Sequence, residues 1–183
     1  MQAPGPGVTG PPRRAESTTT TVASMNSLVT STVMTLTSSA FAPGDEIATL
    51  YTCDGEGTAP PLSWTNVPPG TVELALTITD PDAGGYVHWV VAGLPATTQA
   101  IGGAGLPAGA VELASSAGTN AYAPPCPPPG ESHGYDFTLY ALSTPSGLTA
   151  SSPTADALIK LASEAAPGGT TVLTGSYTRA SAS

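Results

Sequence analysis

Charge is scarce in this 183-residue chain: Asp, Glu, Lys and Arg make up 9% of it, against roughly a quarter in an ordinary soluble domain. Positive charge is scarcer still. Four Lys and Arg stand against 13 Asp and Glu, a formal net charge of −9. Two of the four, Arg13 and Arg14, lie near the N-terminus, so the rest of the chain has only Lys160 and Arg179. Such a chain repels polyanions over long range, which excludes nucleic acid as a partner and argues against anionic membrane surfaces. A run of about 18 apolar residues is also lacking, which excludes a membrane-spanning helix. The segment after Arg13-Arg14, "TTTTVASMNSLVTSTVM", is too rich in Ser and Thr for the apolar core of a secretory signal. The cytoplasm is therefore the expected compartment, with secretion the alternative. Cysteine is limited to Cys53 and Cys126, without C-x-x-C spacing. Free buried thiols are the plainer reading; a Cys53–Cys126 disulfide is the alternative in an oxidising compartment.

What the chain does have is 21 Gly and 20 Pro, gathered into clusters that read as turns. Residues 1–32 form a Pro/Gly and then Thr/Ser low-complexity lead-in, expected to be disordered, and residues 33–183 are expected to fold as one domain. Within that domain "VMTLTSSAF", "LSWTNV", "VELALTIT", "YVHWVVAGL", "YDFTLYAL" and "TTVLTGSYTR" read as strands. In "VELALTIT", Val72, Leu74, Leu76 and Ile78 share a face. "YVHWVVAGL" is apolar on both faces, with Val87, Trp89 and Val91 opposite His88, Val90 and Ala92, as in a central strand. Tyr135, Phe137, Leu139 and Ala141 share a face, and His133 points the same way as Tyr135. One helix is expected near 153–166. Ser152 is its N-cap and Pro153 its first residue; Leu158, Leu161, Ala162 and Ala165 form the stripe, and Pro167-Gly168-Gly169 the stop. The fold class is mainly β with Greek-key or sandwich connections.

Both histidines of the chain, His88 and His133, sit beside chemistry-bearing motifs. "DPD" at Asp80–Asp82 precedes His88 by a short glycine-containing loop; "CPPPG" at Cys126–Gly130 precedes "HGY" at His133–Tyr135; "YTCDGEGTAPPLSW" lies upstream. In this order the motifs resemble the phosphatidylethanolamine-binding protein family, in particular its bacterial and archaeal Raf-kinase-inhibitor-like branch, over roughly Leu36 to Arg179. The resemblance implies a two-sheet Greek-key β-fold with a small anion pocket. Matched position by position, the pocket residues are Asp80, Asp82, His88, His133 and Tyr135, with Cys126, Pro127 and Pro128 as its proline-rich wall. Both cysteines then lie on loops near the pocket end. Three departures stand out: Gly134 occupies the place of the family's arginine, Gly84 replaces a proline, and the segment before the proline wall is abbreviated.

The functional expectation is a non-catalytic binding protein without a cofactor, taking a small anionic or zwitterionic phosphate-bearing ligand such as a phosphoethanolamine headgroup. The family's name also raises a kinase or protease as a protein partner. Tyr135 and the two imidazoles would donate to phosphate, while Asp80 fixes an imidazole tautomer. With no matched Arg or Lys, binding should tighten below about pH 6.5, the ordinary histidine value. Two alternatives belong to other classes. Asp80, Asp82, His88 and His133 could hold a divalent metal for hydrolysis, or the chain could be a secreted interaction module. Considered singly, Asp80 and Asp82 read as a capped turn, His88 as a core histidine, and Asp54 and Glu56 as turn residues.

Overall fold

The computed structural model describes residues 1, 2, 5, 7, 33–103 and 105–181. Most of the low-complexity lead-in lies outside these residues. Eight strands and one helix follow in chain order: β1 (Thr35–Ser38), β2 (Leu62–Thr65), β3 (Glu73–Asp80), β4 (Tyr86–Pro95), β5 (Ala100–Ile101), β6 (Val111–Glu112), β7 (Ser132–Leu142), α1 (Thr154–Glu164) and β8 (Ala165–Thr178). They form two antiparallel sheets, one ordered β1-β2-β5 and the other β6-β4-β3-β7-β8. The fold is mainly β, with its one regular α-helix among the described residues near the C-terminus.

The period of two along β3 explains how the larger sheet is covered. Leu74, Leu76 and Ile78 enter a core shared with Met34, Leu36, Leu62 and Trp64 of the smaller sheet's side, and with Tyr135, Phe137, Leu139 and Ala141 of β7. Ala75, on the opposite face, joins Val87, Val90, Ala92 and Leu142 beneath α1. β3 is thus a central strand buried on both faces, which is why its second face carries small or hydrogen-bonded residues rather than charged ones. Glu73 is the exception, and its buried carboxylate accepts from Gly93 N–H at 3.0 Å, Ser146 N–H at 2.9 Å and Ser146 Oγ–H at 2.6 Å. Val72, expected on the Leu74 face, lies just outside the strand and is half exposed.

Two further expectations change. In β4, Ile78 pairs with Trp89 but Thr79 pairs with Val87, leaving His88 as the extra residue of a β-bulge. The bulge reverses the alternation: Trp89 and Val91 face the larger core, while Val87 joins Val90 and Ala92 under the helix. The helix begins at Thr154 with Pro153 as its N-cap, because Ser152 Oγ is already engaged with Thr149 N–H at 3.0 Å. Its buried stripe is Ala157 and Leu161, with Leu158 partly buried; Ala162 is exposed. Pro167-Gly168-Gly169 falls inside β8, since the chain passes from Glu164 directly into extended backbone at Ala165.

Candidate functional site

The site grows from the ends of three adjacent strands. β3 ends at Asp80, and after five intervening residues β4 starts at Tyr86, paired with it. Within this turn Asp80 Oδ1 accepts Ala83 N–H at 2.9 Å, and Asp80 C=O accepts Gly85 N–H at 3.0 Å. Gly84 and Gly85 both adopt positive φ, +67° and +81°, a region closed to most side chains. One carboxylate oxygen of Asp80 therefore shapes its own turn. The other, Oδ2, accepts from His133 Nδ1–H on β7 at 2.7 Å. Asp80 thus caps its own turn with one oxygen, as read from the sequence, and holds His133 with the other.

Asp82 reaches across the same gap, its Oδ2 accepting Gly134 N–H at 2.7 Å. A backbone N–H thereby fastens the aspartate loop to β7 where the family's arginine would stand. The bulge at His88 turns its imidazole to this end. Nδ1 lies 2.7 Å from Ala123 C=O, which can only accept, so Nδ1 carries the proton. In the neutral ring Nε2 is then a bare acceptor, 4.0 Å from Asp80 Oδ2. His88 is 5% exposed, and burial pushes its pKa below the ordinary 6.5 despite the Ala123 carbonyl and Asp80. His133 is moved the other way, above 6.5, first by its hydrogen bond to Asp80. Its Nε2 lies 3.5 Å from Glu131 Oε2. Two identical side chains around one carboxylate are shifted in opposite directions, His88 toward its neutral form by burial and His133 toward its cationic form by the Asp80 hydrogen bond.

A cavity of about 460 Å³ opens over this group, lined by Asp80, Asp82, Ala83, Tyr86, His88, Pro124, Cys126, Pro128, Glu131 and His133. Of the residues expected at the site, Asp80, Asp82, His88, Cys126, Pro128 and His133 meet there. Pro127 and Tyr135 do not line it. Tyr135 is fully buried, its ring edge-on to His88 at 5.2 Å, and burial raises its pKa. Its hydroxyl and His88 Nε2 are the two buried side-chain polar atoms without a partner among the described residues. Tyr86, 4.8 Å from the His88 ring, and Glu131 escaped the sequence reading. Their signal was proximity alone: each is two residues from a histidine. A cavity of similar size, about 470 Å³, lies around Asp54, Tyr177 and Arg179. Asp54, a turn residue as read from the sequence, there also accepts Tyr177 Oη–H at 2.8 Å and Arg179 Nε–H at 3.1 Å, tying its loop to the end of β8 and the residue that follows it.

The cysteines are bridged, Cys53 to Cys126, with Cα atoms 5.3 Å apart, which overturns the free-thiol reading. Cys53 is half-buried and Cys126 exposed, so neither behaves as a small core hydrophobe. As for a metal, Asp82 is turned to Gly134 and His88 Nδ1 to Ala123. Among the described residues no three of the proposed donors converge on one point.

Comparison with known proteins decides the family. The family model described as "Phosphatidylethanolamine-binding protein" matches residues 37–178. The chain belongs to this family. It is 42% identical over 123 residues to LppC of Mycobacterium tuberculosis, named as a candidate lipoprotein, covering 63% of this chain and 61% of that protein. A UPF0098 protein of Methanothermobacter thermautotrophicus is 44% identical over 118 residues, 61% of this chain and 78% of the relative. The match spans only about three fifths of the mycobacterial relatives' length. Among solved structures, Escherichia coli YbcL superposes with a TM-score of 0.74 at 30% identity over 80% of this chain and 99% of that one. The Chlamydia trachomatis family homologue CT736 gives 0.73 at 33% identity over 80% and 98%. Among the described residues no helix is long and apolar enough to cross a membrane.

Proposed function

We propose that the chain is a non-catalytic binding protein for a small phosphate-bearing ligand, with a zwitterion such as phosphoethanolamine preferred over bare phosphate. One observation carries this reading: His88 Nε2 and the Tyr135 hydroxyl are buried beside one another with their hydrogen-bonding capacity unused. Buried polar groups are rarely left so, and these two are complementary. His88, which lines the cavity, offers an acceptor, and Tyr135 behind it a donor to a phosphoryl group seated deeply enough to displace the His88 edge, the pattern that a singly protonated group satisfies with one P–OH and one P–O⁻. Charge balance favours a zwitterion. Neither Lys160, paired with Glu164 at 2.6 Å, nor Arg179, paired with Asp54, lines the cavity. The phosphoryl charge is therefore met by His133. Glu131, whose side chain is 60% exposed, and the Tyr86 ring suit an ammonium group.

Calorimetric titration with phosphoethanolamine, inorganic phosphate and ethanolamine, repeated across pH, tests the reading. Phosphoethanolamine should bind most tightly. Affinity should fall as pH rises past about 6, where the phosphoryl group loses its second proton, and fall further through the raised pKa of His133. Equal affinities for all three compounds, or a curve flat from pH 5 to 9, would discard it.

A further inference from the structure

The cavity wall is made from a run that cannot hold itself in place. Pro124-Pro125-Cys126-Pro127-Pro128-Pro129 contains five prolines, so Cys126 carries its only backbone N–H. The run cannot join a sheet as a regular strand, and it lies outside all eight. Its flanks are secured. Ala123 exchanges two hydrogen bonds with His88, N–H to His88 C=O at 2.8 Å and C=O from His88 Nδ1–H at 2.7 Å. Gly130 N–H donates to Arg179 C=O at 2.9 Å. Between these flanks, among the described residues, one backbone hydrogen bond leaves the run for another segment: Cys53 N–H to Pro125 C=O at 3.0 Å. Cys53 is also the other half of the bridge to Cys126. Apart from the packing of buried Pro125 and Pro127, the middle of the wall is tied by one residue, Cys53, once covalently and once by hydrogen bond.

The two cysteines differ in exposure. Cys126 is exposed and lines the cavity, whereas Cys53 is half-buried. Neither belongs to the two apolar clusters that hold the sheets together. From this placement we propose that the Cys53–Cys126 bond is a redox-sensitive tether of the cavity wall, open to a dithiol reductant at Cys126, whose loss dismantles the site and leaves the sheets folded. In the exchange a thiolate of the dithiol attacks Cys126 Sγ. The Cys53–Cys126 bond breaks, and Cys53 departs as a thiolate and takes up a proton. The second thiol of the reductant then attacks the mixed disulfide and frees Cys126. Two electrons pass to the protein, and the reductant leaves as its own disulfide. With the tether gone, only the Cys53 N–H to Pro125 C=O bond ties the run to the 49–55 turn, and drift of the run would pull on the adjacent Ala123 carbonyl that fixes the His88 tautomer. The ligand-binding form is then the oxidised one, which belongs in an oxidising compartment rather than the cytoplasm expected from sequence.

The test needs a readout that does not depend on the ligand, because the binding half of this inference rests on the function proposed above. The chain has two histidines, so nitrogen-detected NMR of the imidazoles resolves both tautomers in the full chain. After treatment with dithiothreitol, with two thiols confirmed by a thiol reagent, we expect the sheet amides to keep their dispersion. His88 should lose its fixed Nδ1–H tautomer, and the phosphoethanolamine Kd should rise at least tenfold. The double variant Cys53→Ser, Cys126→Ser should reproduce this without reductant. A fully reduced protein with an unchanged His88 tautomer overturns the proposal. So does global loss of amide dispersion in both samples, since the bond would then hold the fold and not the wall. If the oxidised protein fails to bind phosphoethanolamine, the function proposed above falls, and the tether stands or falls on the His88 signature alone.

Discussion

The floor and the wall of the cavity are built by opposite means. The floor comes from β3, β4 and β7, whose side chains are placed by ladder hydrogen bonds and by burial on both faces. The wall is a proline run that has no ladder and relies on a disulfide and on contacts at its ends. A floor of this kind places Asp80, His88 and His133 by the strand ladders, 2.7 Å from Asp80 to His133 and 4.0 Å to His88. On the tether proposed above, the wall should be able to change without disturbing the sheets. Chemistry is therefore stored in the rigid half and adjustability in the other.

The sharpest way to break this comparison is to damage the floor at its foundation. Phe137 is fully buried in β7, with its ring 5.2 Å from Phe41. Phe137→Ala should cost about 3–5 kcal/mol of unfolding free energy, read from urea denaturation. Ligand binding should disappear with the fold, whereas wall damage should remove binding alone. Equal stability of this variant and the parent would refute the assignment of β7 as the rigid element.

Asp80→Asn separates shape from charge. The amide oxygen can still accept Ala83 N–H, so the turn should persist. The charge-assisted bond to His133 is lost, at about 1.5–3 kcal/mol. The sign with pH is fixed. His133 has its folded pKa raised mainly by Asp80, so its contribution is complete below 6.5 and disappears as pH rises through the folded value. The stability gap between parent and variant should narrow across that window, and a gap constant from pH 5 to 9 would contradict the pairing.

How far the sequence shows this plan follows the same division. Strand alternation made Leu74, Leu76, Ile78 and the Tyr135–Ala141 face readable, because a period of two maps directly onto a buried face. It could not show the bulge at His88, since an inserted residue is set by pairing with β3 and not by any local preference. The DPD, histidine and proline motifs brought Asp80, Asp82, His88 and His133 to one cavity. The pairing of two cysteines 73 positions apart was left open, because spacing carries no information on loop geometry. Tyr135 was read as a ligand donor from its motif; its depth behind the cavity depends on packing against His88.

Tyr135→Phe asks whether the floor keeps an unused donor for a guest. In the free protein the hydroxyl has no partner, so its removal should leave stability unchanged or raise it by up to about 1 kcal/mol. Phosphoethanolamine affinity should nevertheless drop several-fold. A buried hydroxyl kept only for packing would give the reverse result, with lower stability and intact binding.

The smallest structural change tests the feature that most distinguishes this floor. Gly134 lies in β7 without positive φ, and a Cβ placed there would meet Asp82 Oδ2 at 3.5 Å, an ordinary contact. Gly134→Arg should therefore fit with a stability change within about 0.5 kcal/mol. Its guanidinium would stand among Asp80, Asp82 and Glu131, giving the cavity a permanent cation. Inorganic phosphate should then bind several-fold more tightly, its affinity should persist above the raised pKa of His133, and the preference for the zwitterion should shrink. If phosphate binding is unchanged while the thermal midpoint stays put, His133 is not the cation that limits anion affinity, and the selectivity argued from the missing arginine is wrong.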